Sequence, residues 1–141
     1  MTEKELYDVL TAPRRTKRRI EVTKARMEKL RVMMLPGAIR YDKDHVQSSP
    51  QDPMLVFAEK MDELNTKAVE LEGLYITQCN EVEVLLKALD DDDRHKSIYK
   101  DILELTYLAE CRPVEIADKL NYAESTVYKL KREAIKTLIK G

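Results

Sequence analysis

The sequence predicts an all-α protein, on three observations. Apolar residues recur every three or four positions over most of the chain. Only 3 glycines occur in 141 residues, and 1 phenylalanine with no tryptophan leaves little material for the turns and faces of a sheet. The expected architecture is a long antiparallel helical hairpin, coiled-coil-like, over residues 1–90 with a loop at 36–53, followed by a small helix-turn-helix domain over residues 91–141.

The first helix is expected to open at Thr2, which has capping-box spacing to Glu5, with Leu6, Val9 and Leu10 behind it. Pro13 is expected to interrupt or restart it, leaving a main helix from Arg14 to Leu35 with Ile20, Thr23, Met27, Leu30 and Met34 on one face. Pro36-Gly37 should end that helix, and residues 38–52 read as a polar loop. Asp52-Pro53 then has the form of an N-cap followed by proline at the first helical position.

The clearest period in the chain follows. Met54, Phe57, Met61, Leu64, Ala68, Leu71, Tyr75, Gln78, Val82, Leu85 and Leu89 keep a 3-4 spacing without a slip. Such a helix is about 54 Å long at about 1.5 Å per residue. Gln78 is the polar residue of the seam and Gly73 its weak point. A first helix beginning at Arg14 would cover only part of this one, so the remaining seam should need a second copy or the C-terminal domain. Asp90-Asp91-Asp92-Asp93 reads as a linker whose last carboxylate caps the next helix. Adjacent side chains in a run do not converge as metal ligands must.

Composition narrows the class further. Hydrophobic residues make up 43% of the chain, enough to bury a core. The longest uncharged apolar run, Val32–Ala38, is far short of the ~20 residues of a membrane span. No apolar leader is seen, and Cys79 and Cys111 form no CxxC pair. The expectation is a cytoplasmic protein of a bacterial host cell, without cofactor or metal and without a membrane partner. His45 and His95 stand apart from each other and from the cysteines, which argues against zinc. No nucleophile–base set or glycine-rich phosphate loop suggests an enzyme.

The formal net charge of −1 hides strong blocks. Residues 1–40 carry a net charge of +6, residues 41–93 of −10 and residues 94–141 of +3. The run Arg14-Arg15-Thr16-Lys17-Arg18-Arg19 could pair with the acidic helix, whose Glu59, Asp62, Glu63, Glu70 and Glu72 lie off the seam, or it could grip phosphate.

In the C-terminal segment, Ile98, Ile102, Leu105, Thr106 and Leu108 give one helical stripe, and Ala109–Arg112 turn the chain. The window Pro113–Arg132 then meets the demands of a helix-turn-helix position by position. Its core positions hold Ile116, Leu120, Tyr122, Val127 and Leu130. Ala117 is small where two helices nearly touch, and Asn121 stands where the backbone must turn left-handed. With Val127 and Leu130 inward, the second helix should present Glu124, Ser125, Tyr128, Lys129 and Arg132 to base edges. Arg112, Lys131 and Lys136 are expected to hold phosphates and set register.

The stretch from Pro113 to about Lys140 resembles region 4 of bacterial sigma factors, including its amphipathic continuation through Ala134, Ile135, Leu138 and Ile139. The whole chain is similar to phage-encoded late-gene regulators of the ArpU/RinA type. It shares with them a basic first helix, the loop phrase Asp44-His-Val-Gln-Ser-Ser-Pro-Gln-Asp52, a long acidic heptad helix and Leu89-Asp-Asp ahead of the last module. The resemblance implies a phage or prophage transcriptional regulator that activates late genes. Glu124 and Thr126 replace the basic pair near the start of the sigma recognition helix, and Ala123 replaces the usual Ser or Thr cap. These departures imply an operator of its own, with Thr126 counted among the base-reading positions.

The partners expected on this reading are double-stranded DNA, a second copy or a higher homo-oligomer, and, for activation, bacterial RNA polymerase. Two alternatives stand beside it. A phage small terminase subunit also joins a helix-turn-helix to a helical oligomerisation segment and would recognise packaging-site DNA. An adaptor of RNA polymerase or a host sigma factor would use the same module to bind protein alone.

Overall fold

The computed structural model describes residues 1–34, 52–89 and 94–140, and among them every regular element is helical. The elements are α1 (Glu3–Met33), α2 (Pro53–Leu86) closed by a tight turn at Lys87–Leu89, α3 (Arg94–Leu103) running into a wide π-type turn at Glu104–Leu108, α4 (Pro113–Leu120) and α5 (Glu124–Lys140). The all-α expectation is met. The Pro36-Gly37 stop, the loop phrase up to Gln51 and the Asp90–Asp93 linker lie outside the described residues.

Local chemistry sets both expected helix starts. At α1 the Glu5 backbone N–H donates to Thr2 Oγ1 (3.2 Å) and the Thr2 backbone N–H to Glu5 Oε2 (3.3 Å), a reciprocal capping box. At α2 the Met54 N–H donates to Asp52 Oδ1 (3.0 Å), with Pro53 at the first helical position.

Pro13 does not interrupt α1, which runs unbroken for 31 residues. Proline in a helix interior costs about 3 kcal/mol, chiefly through its missing N–H and the clash of its ring with the preceding turn. Here the ring is fully buried and continues the stripe of Leu6 and Leu10, so packing offsets part of the cost. Side chains also serve the carbonyls just upstream: Thr11 Oγ1 donates to Tyr7 O (2.7 Å) and Arg15 Nη2 to Asp8 O (3.2 Å).

Two compact units divide the chain, one made of residues 1–15 and 75–141, the other of residues 16–74. Residues on both sides of position 90 fall in the first unit. In the first unit a single core joins Leu6 and Leu10 of α1, Val82, Leu86 and Leu89 of α2 and its closing turn, Leu103 and Tyr107, and Ala134, Ile135 and Leu138 of α5. A cut at 90 would pass through it. Of the two covers expected for the far end of the α2 seam, the C-terminal segment supplies one: together with the first turns of α1 it buries Val82, Leu86 and Leu89. In the second unit α1 and α2 run antiparallel. Lys24 Nζ meets Glu72 Oε1 at 3.2 Å, and Ile20 and Thr23 of α1 and Leu64 and Ala68 of α2 are buried.

A second core, Ile102, Ile116, Ala117 and Val127, lies in the first unit, with Ile98, Leu105, Cys111, Leu120 and Leu130 packed around it. The wide turn splits the sequence stripe between the two cores. Ala109 N–H reaches back to Glu104 O (2.9 Å) and Cys111 N–H to Leu105 O (2.8 Å), which adds a residue to the turn. Ile98, Ile102 and Leu105 of the stripe face the second core and Leu108 the first, which also takes Leu103 and Tyr107, residues outside the stripe.

Candidate nucleic-acid interface

The candidate interface is built on α4, the three residues Asn121-Tyr122-Ala123 and α5. Pro113 opens α4, and Arg112 precedes it with extended backbone at φ −76° and ψ 156°. Glu115 Oε1 accepts from both the backbone N–H (3.2 Å) and Nε (2.9 Å) of Arg112, tying down the first turn. Asn121 ends the helix in the left-handed region at φ 61°, ψ 42°. Ala117 O accepts from the backbone N–H of Asn121 and from that of Tyr122 (3.0 Å). Ile116, Ala117 and Val127 are buried, with Leu120 and Leu130 packed on them, where the sequence expects the contact between the two helices. Tyr122 departs from that expectation. At 37% exposure it lies on the rim and not in the core.

Ser125, Lys129, Arg132 and Lys136 are all exposed, and at about 100° per residue they fall within roughly 60° of the circumference of α5. Tyr128, 48% exposed, flanks them, and Glu124 is exposed in the first turn. Among the described residues neither Lys129 nor Arg132 makes an ion pair. Thr126 is half-buried instead. It lies about 100° round from Ser125 on the side of Leu130, so it does not share the exposed stripe.

Two of the expected phosphate contacts are engaged within the protein. The guanidinium of Arg112 is exposed but bonded to Glu115. That bond raises Arg112 above its ordinary pKa and holds the Glu115 carboxyl below the usual glutamate range. Lys131 is not on the outer stripe. It occupies the turn between Val127 and Ile135 on the core-facing side, half-buried, with its ammonium 5.4 Å from the centre of the Tyr107 ring. Burial, then the nearby charge of Arg14, pushes the Lys131 pKa down. Burial, reinforced by Tyr7 and partly opposed by Arg14, pushes Tyr107 up to about 12.

Arg14 is the residue that sequence reasoning leaves without a fixed place. Its Nη2 donates to Thr106 O at 2.8 Å, across 92 positions of sequence, and serves a carbonyl in the wide turn. No local pattern links the two residues, and only the burial of Leu6, Leu10 and Pro13 delivers the arginine there. Arg15 turns back on its own helix, to Thr11 Oγ1 (2.6 Å), and Arg18 and Arg19 are exposed.

Among the described residues no group of His, Cys, Asp and Glu side chains could hold a metal ion. No described helix is long and apolar enough to cross a membrane.

A family model described as "Protein of unknown function (DUF1492)" matches residues 27–139. The chain belongs to that family. The match takes in all of α2, α3 and α4 and all but the last residue of α5, and it begins within α1, so the DUF1492 segment contains the candidate interface and Lys131 but not Arg14. No curated protein and no solved structure matches the chain.

Proposed function

We propose that this DUF1492 member is a sequence-specific double-stranded DNA-binding transcriptional regulator that uses α4 and α5 as a helix-turn-helix. The observation that carries the reading is the exposed stripe Ser125, Lys129, Arg132 and Lys136 on a helix oriented by a three-residue turn with left-handed Asn121. Two helices joined in this way leave the outer face of the second free to enter a major groove. Lys129 and Arg132 can donate to guanine O6 and N7, and Ser125 to base or phosphate. Tyr128 offers a hydroxyl and an apolar ring for a thymine methyl.

The resemblance to region 4 and to phage late-gene regulators gives the finer reading, an activator of late genes encoded by a phage or prophage. Activation then requires a contact with RNA polymerase. A homodimer would present two such helices to two related half-sites, and exposed Ile76 and Val84 on α2 supply apolar surface for self-association.

The test incubates sheared DNA of the encoding phage or prophage with the protein at moderate salt and sequences the retained fragments. One sharp peak upstream of late genes is the expected result. Lys129→Ala with Arg132→Ala should abolish the peak while leaving the helical signal intact. A peak that survives both substitutions, or uniform retention, refutes the assigned face.

A further inference from the structure

We propose that the helical hairpin of the second unit associates with a second copy of this chain through two unlike surfaces: a cation-rimmed apolar groove on one copy receives the acidic outer face of α2 from the other. Self-association as such rests on the regulator reading above. Which surfaces meet is argued from the hairpin alone.

The groove has a volume of about 450 Å³. Val22, Ala25, Leu30 and Met33 of α1 and Leu64 of α2 line it with hydrocarbon, and the charged residues that line it are Arg26, Lys29 and Lys60, all cations. At about 100° per residue, Val22, Ala25, Arg26, Lys29 and Met33 occupy roughly 100° of the circumference of α1, beside the row of Ile20 and Thr23 that is buried. Val22 and Met33 are about half exposed, so apolar surface lies open along the groove. A pair of helices buries one seam, and a bundle covers its remaining apolar faces with further helices.

The complement lies on α2 of the same unit. Leu55, Glu59, Asp62, Val69 and Glu70 fall within roughly 100° of its circumference, on the side opposite buried Leu64 and Ala68. Leu55 and Val69 are more than half exposed, and the three carboxylates between and beside them are exposed as well. Among the described residues Arg26 and Lys29 make no ion pair, and neither do Glu59, Asp62 and Glu70. The ion pairs of the hairpin belong to other residues, Lys24 with Glu72, Arg31 with Glu28 and Lys60 with Glu63.

Charge decides how the surfaces pair. Groove against groove brings Arg26 and Lys29 against their own copies, and α2 face against α2 face does the same for Glu59, Asp62 and Glu70. Like charges set together at a contact oppose association. Groove against α2 face instead joins opposite charges around apolar side chains, so hydrocarbon supplies attraction and charge selects the face.

The test measures mass by light scattering over a range of concentration, on the full chain without DNA. Wild type should exceed the monomer mass, increasingly so as concentration rises. Arg26→Glu with Lys29→Glu makes the groove acidic, and Glu59→Lys with Asp62→Lys makes the α2 face basic. Each double variant alone should associate about tenfold more weakly or worse. Mixed in equal amounts the two should associate again, because each supplies the charge the other has lost, and that recovery also shows both to be folded. Lys4→Glu, outside the second unit, should leave the mass unchanged. A monomeric wild type overturns the surface, as does association retained by either double variant, or a mixture that stays monomeric with helical ellipticity intact. Duplex binding is measured separately. DNA retention by a monomeric wild type refutes the surface and leaves the regulator, whereas association without DNA retention refutes the regulator and leaves the surface.

Discussion

Replacing Asn121 isolates the backbone demand of the turn between α4 and α5. The side chain is exposed, so substitutions there remove little burial and act through the backbone at φ 61° and ψ 42°. A residue with a Cβ pays about 1–2 kcal/mol to enter the left-handed region, and asparagine pays less because its side chain bonds locally. Asn121→Ala should therefore destabilise by about 1 kcal/mol, roughly a fivefold loss in the folded-to-unfolded ratio. Asn121→Val should lose about 2 kcal/mol or more, since a branched Cβ is poorly tolerated there. Asn121→Gly should fall within about 0.5 kcal/mol of wild type, relief of strain being offset by the freedom glycine gains when unfolded. Urea unfolding followed by helical ellipticity is the assay, with an unchanged m-value as the condition for reading the midpoint as stability. Wild-type stability in Asn121→Ala, or equal stability of the valine and glycine variants, would refute a left-handed turn.

Three other substitutions or conditions separate local from long-range causes. Pro13→Ala restores a helical N–H worth about 3 kcal/mol of propensity and removes two buried methylenes at about 0.8 kcal/mol each, so thermal melting should show a net gain of roughly 1 kcal/mol; a loss would mean the ring packs better than its burial implies. Because folding raises the Tyr107 pKa to about 12, its contribution is complete below pH 10 and is lost as pH rises from about 10 through 12. Alkaline unfolding should therefore be shallower in Tyr107→Phe, and an identical pH dependence would contradict the burial of the phenol. The fragment 91–141 should show no cooperative transition on heating, because it uncovers Leu103, Tyr107, Ala134, Ile135 and Leu138; a sharp transition would restore a domain boundary at residue 90.

Much of the candidate interface was legible in the sequence because its constraints are short-range. Asn121 marks a left-handed position through its own side chain, Ala117 marks a close approach through its size, and Val127 with Leu130 sets which side of α5 faces inward. The outward places of Ser125, Tyr128, Lys129 and Arg132 then follow from helical geometry. Thr126 fell on the wrong side of that geometry, and its nomination came from a comparison of residue types rather than from the angle it occupies. Lys131 was misplaced for a different reason. Its charge suggests solvent, whereas its position belongs to the core-facing side, and a lysine can occupy such a position when an aromatic face receives its ammonium.

What the sequence by itself determined is the set of helices and their caps: Thr2 with Glu5, Asp52 before Pro53, Asn121 after Leu120, and the eleven-residue seam of α2. Each depends on residues within a turn or two of one another, and hydrogen bonding at that range is set by spacing alone. Tertiary structure decided that α1 continues through Pro13, that Leu103 and Tyr107 turn to the first core, that Arg14 reaches Thr106 and that the compact unit includes both ends of the chain. These outcomes depend on the apolar area that Leu6 and Leu10 bury against α2, Leu103, Tyr107 and α5. That free energy belongs to pairs of surfaces far apart in sequence, so no local pattern can carry it.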